Sequence, residues 1–188
     1  GIRDYKVTGV QTCALPICSW AEVKVGLALG SNLGDRLVNL QRARDFLVGL
    51  AQENCYRQAP LYESAPVDCP TGSPAFYNST IEIEFTGTPQ GLLKKTQAYE
   101  VAHGRDRTLP VNSPREIDID ILYFGEQEVR EKNLVIPHPR LAQRRFVLLP
   151  LSTMAPERII KGNGKTVRQL LRELPAGGEA VTFVRQDW

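Results

Sequence analysis

From Val23 the chain reads Val-Lys-Val-Gly-Leu-Ala-Leu, apolar residues alternating with small or polar ones, and the run stops at Gly30-Ser31-Asn32. A strand running into a turn has this form. Leu37, Leu40, Ala43, Phe46, Leu47 and Leu50 then recur at helical spacing, while Asn39, Gln41, Arg42 and Asp45 fall elsewhere, which predicts an amphipathic helix. The stretches from Tyr56 to Glu63 and from Tyr77 to Phe85 read as strands, the second alternating as Ile81-Glu82-Ile83-Glu84-Phe85. Between them lies a loop rich in Pro and Gly. Thr88-Pro89 opens a second helix as N-cap and first helical residue, and Leu92, Leu93, Thr96 and Tyr99 give it a buried face. Ile117 to Ile121 alternates again as a strand. The order β-α-β-β-α-β predicts an α+β chain with a ferredoxin-like antiparallel sheet and helices packed on it. Further on, Pro137 to Met154 reads as irregular and then helical, Val167 to Leu174 as a short helix, and Val181 to Val184 as an edge strand.

Residues 1–22 carry no amphipathic period and are expected to lie outside the fold. Their stretch Val7 to Cys18 resembles the conceptual translation of a sequencing adapter, with an ordinary N-terminal extension as the other reading. The remaining 23–188 form one expected domain, a size that can bury a core without staples. Apolar residues at 42% exclude disorder of the whole chain, and a net charge of +2 argues against a duplex nucleic acid or an anionic membrane as partner. An anion site must therefore be local. Cys13, Cys18, Cys55 and Cys69 lack zinc-ligand spacing and are expected to be reduced thiols. No run approaches 18 apolar residues, so the protein is expected to be soluble and cytoplasmic; a monomer is the expected state, although nothing in the sequence fixes it.

Chemistry enters at Pro114-Arg115-Glu116-Ile117-Asp118-Ile119-Asp120-Ile121. Side chains alternate along a strand, so Asp118 and Asp120 share one face with their Cα atoms about 7 Å apart, while the isoleucines face the core. Two carboxylates on a rigid strand suit Mg²⁺, and a pair of such ions can clamp a phosphoryl group in transfer. A solvated acidic strand face would look the same, but Arg115 just upstream suits a site for metal and polyphosphate together. Arg105 and Arg107 follow the helix that carries Gln97 and Glu100, which are i,i+3 neighbours on one face. With Arg115 they form a guanidinium group suited to phosphate oxygens, although taken alone they read first as a solvated basic loop. His138 stands between Pro137 and Pro139, where it could be a structural hydrogen bonder or a site residue.

These residues carry a resemblance. Gly30-Ser31-Asn32-Leu33-Gly34-Asp35, Phe76-Tyr77-Asn78, Gly104-Arg105-Asp106-Arg107, Pro114 to Ile121 and Ile136-Pro137-His138-Pro139-Arg140 resemble the motifs of the 6-hydroxymethyl-7,8-dihydropterin pyrophosphokinases of folate biosynthesis, in family order from about Val23 to Pro156. The resemblance implies transfer of pyrophosphate from ATP to the pterin hydroxymethyl oxygen, giving AMP and the pterin diphosphate. It implies two Mg²⁺ ions on Asp118 and Asp120, with Arg105, Arg107 and Arg115 on the triphosphate; Arg107, Arg115 and the two aspartates would be catalytic. Gln97, Glu100, Ile121, His138 and Arg144 would surround the nucleotide. Ser64, Pro66, Val67, Phe76, Asn78 and Phe146 would form the pterin slot, the two rings stacking on the heterocycle.

The chain departs from the family pattern at Asn112-Ser113, where many members have an aromatic residue and Gly before Pro-Arg, and at Pro139, where some place Tyr. Loop closure over substrate is the property these changes touch. Two rival readings are a non-catalytic ferredoxin-like ligand-sensing module, against which the arginine group counts, and a two-metal enzyme acting on nucleic acid, against which the balanced charge counts.

Overall fold

The computed structural model describes residues 22–106, 108–110, 112–176, 178 and 180–188. The expectation for residues 1–22 thus falls, Glu22 apart, outside the described residues, as does that for Arg107. Strand β1 (Val23–Ser31) is central, antiparallel to both neighbours. Val25, Leu27 and Leu29 are buried on one face, and the alternate positions are Gly26, Ala28 and Gly30. That second face is therefore a trough. At Gly26 a Cβ would stand 2.3 Å from the Tyr123 ring, so the trough is already filled there by an aromatic side chain.

Helix α1 (Arg36–Val48) starts where the Asp35 carboxylate accepts the Val38 N–H at 3.1 Å. It buries Leu40, Ala43 and Leu47, whereas Leu50 follows its end and packs only partly on the core. The strand expected from Tyr56 to Glu63 is broken into β2 (Tyr56–Gln58) and β3 (Leu61–Ser64). Pro60 supplies no N–H to a ladder. The carbonyls at the break are taken instead by side chains: Ser79 Oγ donates to Ala59 at 2.9 Å and Pro60 at 3.1 Å, and the Trp188 indole donates to Ala59 at 2.9 Å.

Strand β4 (Phe76–Phe85), helix α2 (Pro89–Ala102) and strand β5 (Asp118–Phe124) complete the repeat. Thr88 caps α2 through the Gly91 N–H at 3.0 Å, with Pro89 in the first turn. The short hairpins β6 (Val129–Glu131) with β7 (Leu134–Ile136), and β8 (Ile159–Ile160) with β9 (Lys165–Thr166), frame helix α3 (Arg145–Met154). Helix α4 (Val167–Glu173) opens with a capping box between Thr166 and Gln169, and β10 (Val181–Arg185) closes the chain's main sheet.

The sheet order is β10-β3-β4-β1-β5 with every pairing antiparallel, and β2 also pairs β4. Leaving out the added β10, this is the ferredoxin-like arrangement. Helices α1 and α2 cover the face bearing Leu27, Ile81, Ile83, Ile117, Ile119 and Ile121. A second core gathers Leu122, Tyr123, Val147, Leu148, Leu151 and Val167 beneath α3 and α4. At the start of α3, Phe146 and Val147 border a cavity that also touches Ala28 and Gly30 of β1. Among the described residues no helix is long and apolar enough to cross a membrane.

Candidate active site

Strand register builds the site. Gly30 pairs with Asn78 on one side and with Asp118 on the other. The C-terminal end of β1 therefore meets the N-terminal ends of β4 and β5, and Ser64 at the end of β3 pairs with Phe76. Gly30 places no side chain between Asn78 and Asp118; a Cβ there would lie 3.4 Å from Asn78 Oδ1 and 3.6 Å from the Phe76 ring. The gap is the floor of a narrow cavity of about 50 Å³, walled by Ser64, Val67, Phe76, Asn78, Arg115 and Phe146 with both aspartates at one end.

The polar edge of this slot is held internally. Asn78 Nδ2 donates to Ser64 Oγ at 2.9 Å, and both side chains are buried. The Phe76 and Phe146 rings supply apolar wall. Five of the six residues expected around a pterin thus line one cavity, and Pro66 belongs to the same loop as Val67. Cys69 and Asn112 also line it and were not among the expected site residues. Asn112 donates Nδ2 to the Asp68 carbonyl at 2.9 Å, so the loop before β4 and the loop before β5 are joined at the cavity. Nothing in the spacing of residues 44 positions apart signals that bond.

The charged end is organised around Asp118. Arg105 Nη1 stands 2.8 Å from Asp118 Oδ1, and Arg115 Nη2 stands 3.0 Å from Oδ2. Asp120 has looser company, with Arg144 at 3.5 Å and His138 at 3.8 Å. Burial, then the charge on Asp118, pushes the Asp120 carboxyl up to about 6 against the pull of Arg144, Arg115 and Arg140. His138 moves the other way, to about 4, through burial and then the charges of Arg144 and Arg140. It is neutral at pH 7. Its Nδ1 accepts the Arg140 N–H at 3.2 Å, which leaves the ring proton on Nε2, the nitrogen nearer Asp120.

Arg115 is positioned through its main chain. Its N–H donates to Asn32 Oδ1 at 2.8 Å and its carbonyl accepts the Asn32 N–H at 3.2 Å. The Arg115 Nε is buried and has no hydrogen-bond partner among the described residues. A buried donor left free beside a cavity is available to an anionic oxygen. The other residues expected around a nucleotide are spread more widely. His138 and Arg144 adjoin Asp120, whereas the Ile121 side chain is in the core. Glu100 is 5% exposed and its Oε1 accepts the Ile119 N–H at 2.9 Å. Gln97 lies one turn earlier on α2, partly buried.

A sequence model of the family 7,8-dihydro-6-hydroxymethylpterin-pyrophosphokinase matches residues 26–156. The chain belongs to this family. It is 36% identical over 155 residues to a 2-amino-4-hydroxy-6-hydroxymethyldihydropteridine pyrophosphokinase of Pseudomonas aeruginosa, covering 82% of this chain and 94% of that one. It is 37% identical over 126 residues to the enzyme of the same name from Bacillus subtilis, covering 67% of this chain and 74% of the relative. Among solved structures, a Plasmodium falciparum HPPK-DHPS with pteroate aligns with a TM-score of 0.64 at 19% identity, over 81% of this chain and 42% of that longer one. An HPPK-DHPS in complex with substrates aligns at 0.63 and 15%, over 80% and 43%. These likenesses support the ferredoxin-like fold. Within the matched stretch, the segments carrying Gly30, Phe76, Asn78, Arg115 and Asp118 meet at one cavity.

Proposed function

We propose that this chain transfers pyrophosphate from ATP to 6-hydroxymethyl-7,8-dihydropterin, giving AMP and the pterin diphosphate, with Mg²⁺ as the metal. The observation that carries the proposal is the junction at Gly30, where a slot with two phenyl rings and an amide edge ends at two aspartates and the Arg115 guanidinium. A flat heterocycle with donors and acceptors along one edge fits the slot. Its reacting hydroxyl would then face the charged end.

The donor set fits a magnesium–nucleotide site. Asp118 and Asp120 offer hard oxygens that would hold a divalent cation, and the proton affinity of Asp120, raised first by burial and then by the charge on Asp118, shows a site where a positive charge would be favoured. No group of three or more His, Cys, Asp or Glu side chains gathers as a metal site among the described residues. Mg²⁺ is commonly held by one or two carboxylates together with substrate phosphates, and two carboxylates are what the strand provides. When bound, the metal would neutralise charge on the transferring group.

The chain's own residues would do the rest by placement. Arg105 and Arg115, released from Asp118 as metal and phosphate arrive, would turn to the triphosphate oxygens. Arg115 Nε would gain the acceptor it lacks. Asn78 would read the pterin edge, and Phe76 and Phe146 would exclude water from its faces. Phosphoryl transfers ask little covalent chemistry of a protein, and positioning with charge neutralisation supplies most of the rate. The test is a coupled assay for AMP release. Release should require ATP, Mg²⁺ and the dihydropterin together; AMP formed at the same rate without the pterin would overturn the proposal.

A further inference from the structure

The slot's walls on β3 and β4 alternate with residues that face the other way. Ser64, Phe76 and Asn78 border the cavity, so Glu63 and Tyr77, which alternate with them and pair with each other, face the side covered by helix α1. There they meet one guanidinium. Arg36 Nη1 donates to Glu63 Oε1 at 2.8 Å and to the Ala75 carbonyl at 2.8 Å. The Arg36 guanidinium carbon also lies 3.8 Å from the centre of the Tyr77 ring. Arg36 therefore touches the neighbour of Ser64, the neighbour of Phe76, and the residue between Phe76 and Asn78, all from behind the slot.

The chain's path gives this contact a task. Ser64 and Phe76 are the last pair of the β3–β4 ladder, and the loop between them, residues 65–75, contributes Val67 and Cys69 to the cavity. The end of a ladder has no further rung to hold it and frays first. Two side chains grip the exit of the loop: Asn32 Nδ2 donates to the Pro74 carbonyl at 3.3 Å, and Arg36 to the next carbonyl, that of Ala75. Arg36 opens α1, whose backbone is set by the Asp35 cap and by Leu40, Ala43 and Leu47 in the core, so the guanidinium is launched from a fixed point. The half-exposed pair of Arg36 with Glu63 would contribute little by itself. It becomes a clamp because the same nitrogen satisfies a main-chain carbonyl while the planar cation covers an aromatic face.

We propose that Arg36 is a positioning residue for the slot: it clamps the ends of β3 and β4 from the opposite face of the sheet, and so fixes Ser64, Phe76 and Asn78 without touching the ligand. That the ligand is a pterin rests on the pyrophosphokinase reading; the clamp does not. Three substitutions separate its parts. Arg36→Met keeps the apolar stem and removes every donor. Arg36→Lys keeps a charge and amine donors but not the planar face, and Glu63→Gln removes the ion pair alone.

The test uses the full chain with three readouts: amide hydrogen exchange over Tyr62–Ser64 and Phe76–Asn78, isothermal titration with the dihydropterin and with an unreactive ATP analogue plus Mg²⁺, and steady-state kinetics. Arg36→Met should lose about tenfold or more of the exchange protection at the β3–β4 end while Val25 and Leu27 in β1 keep theirs. Its pterin affinity should fall about tenfold and its KM for the pterin rise about as much. Analogue affinity, the KM for ATP and kcat should stay within about threefold, because the charged end of the slot is built on β5. Arg36→Lys should recover part of each loss, and Glu63→Gln should stay within about threefold of wild type throughout. If Arg36→Met does not fold, Arg36→Lys carries the comparison with the same signs. A lowered Tm with unchanged pterin affinity would leave Arg36 a brace of the fold alone and overturn the proposal. So would equal losses of pterin and nucleotide affinity. If the wild-type chain bound no pterin, the pyrophosphokinase reading would fail while exchange still decided the clamp; a β3–β4 end equally protected in Arg36→Met would overturn that.

Discussion

Asn32 and Arg115, 83 positions apart, bracket one another: Arg115 donates its N–H to Asn32 Oδ1 at 2.8 Å, and Asn32 donates its own N–H to the Arg115 carbonyl at 3.2 Å. Asn32 Nδ2 also donates to the Pro74 carbonyl at 3.3 Å. One buried amide at the end of β1 thus fixes the approach to β5, which carries Arg115, and the approach to β4, which carries Phe76 and Asn78. The Gly-Ser-Asn motif is then a structural bracket placed under the charged end of the slot.

Asn32→Ala strands the Arg115 N–H and the Pro74 carbonyl. A buried group left unpaired costs about 1–3 kcal/mol, so chemical denaturation should show a loss of that order. In the folded variant kcat should fall about tenfold or more, because the guanidinium is no longer held against the reacting group. Asn32→Asp keeps the acceptor and loses the donor, and its kcat should fall between the two. A folded Asn32→Ala with wild-type kcat would show that Arg115 is held by other contacts.

Asp118 and Asp120 should separate in stability while agreeing in activity. Each substitution to Ala should lower kcat about a hundredfold or more, if the pair holds the proposed metal that neutralises charge on the transferring group. Without metal, Asp118→Ala should lower Tm, because Asp118 has two guanidiniums within 3.0 Å. The Asp120 carboxyl is held above its ordinary value, so its ionised form opposes folding at neutral pH, and Asp120→Ala should leave Tm unchanged or raised. Thermal melts in chelator at pH 7 read this directly. A larger drop for Asp120→Ala than for Asp118→Ala would contradict the geometry.

Much of this arrangement is legible in the sequence because periodicity carries it. The alternation of Ile117, Ile119 and Ile121 with Asp118 and Asp120 gives both the core face and the acid face of β5. Thr88-Pro89 announces α2 by cap chemistry. What escapes a reading along the chain is contact between distant loops. Asn112 meeting Asp68, Asn32 meeting Arg115, and Glu100 turning inward to Ile119 depend on tertiary placement. The break at Pro60 was visible as a residue without an N–H, but the side chains that fill it, Ser79 and Trp188, lie 19 or more positions away. The hairpins β6–β7 and β8–β9 have strands of two or three residues, too short for a period-2 pattern to register.

Asn78→Ala should weaken pterin binding about five- to a hundredfold, the range for a buried amide partner worth about 1–3 kcal/mol at 1.4 kcal/mol per decade. Nucleotide affinity should stay nearly unchanged, because Asn78 is bonded to Ser64 on the side of the slot away from the charged end. Gly30→Val should act similarly by filling the floor between Asn78 and Phe76. Isothermal titration with the pterin and an unreactive ATP analogue, added in each order, separates the two affinities. Loss of nucleotide affinity with pterin affinity intact would place the pterin elsewhere.

A pH-dependent stability difference should arise at Glu82, away from the proposed chemistry. Its carboxylate is 4% exposed; Oε2 accepts the Tyr123 hydroxyl at 2.7 Å, and Oε1 accepts from the Arg57 guanidinium. Burial alone would raise its proton affinity, but the bonds from Tyr123 and Arg57 outweigh that and hold the carboxyl below its ordinary value. A carboxyl depressed in the folded state stabilises it above the unfolded value of about 4.3, and the contribution is lost as pH falls through the folded value. Tyr123→Phe removes one donor to a charged acceptor, a change worth about 1.5–3 kcal/mol. The variant should therefore melt well below wild type at pH 7, and the gap should shrink below about pH 4 as Glu82 takes a proton in both proteins. Melts from about pH 3 to pH 8 read both limbs. A gap of constant size across that range would mean that Tyr123 stabilises the fold by packing on Gly26 and under Arg158 alone, and not by holding the charge of Glu82.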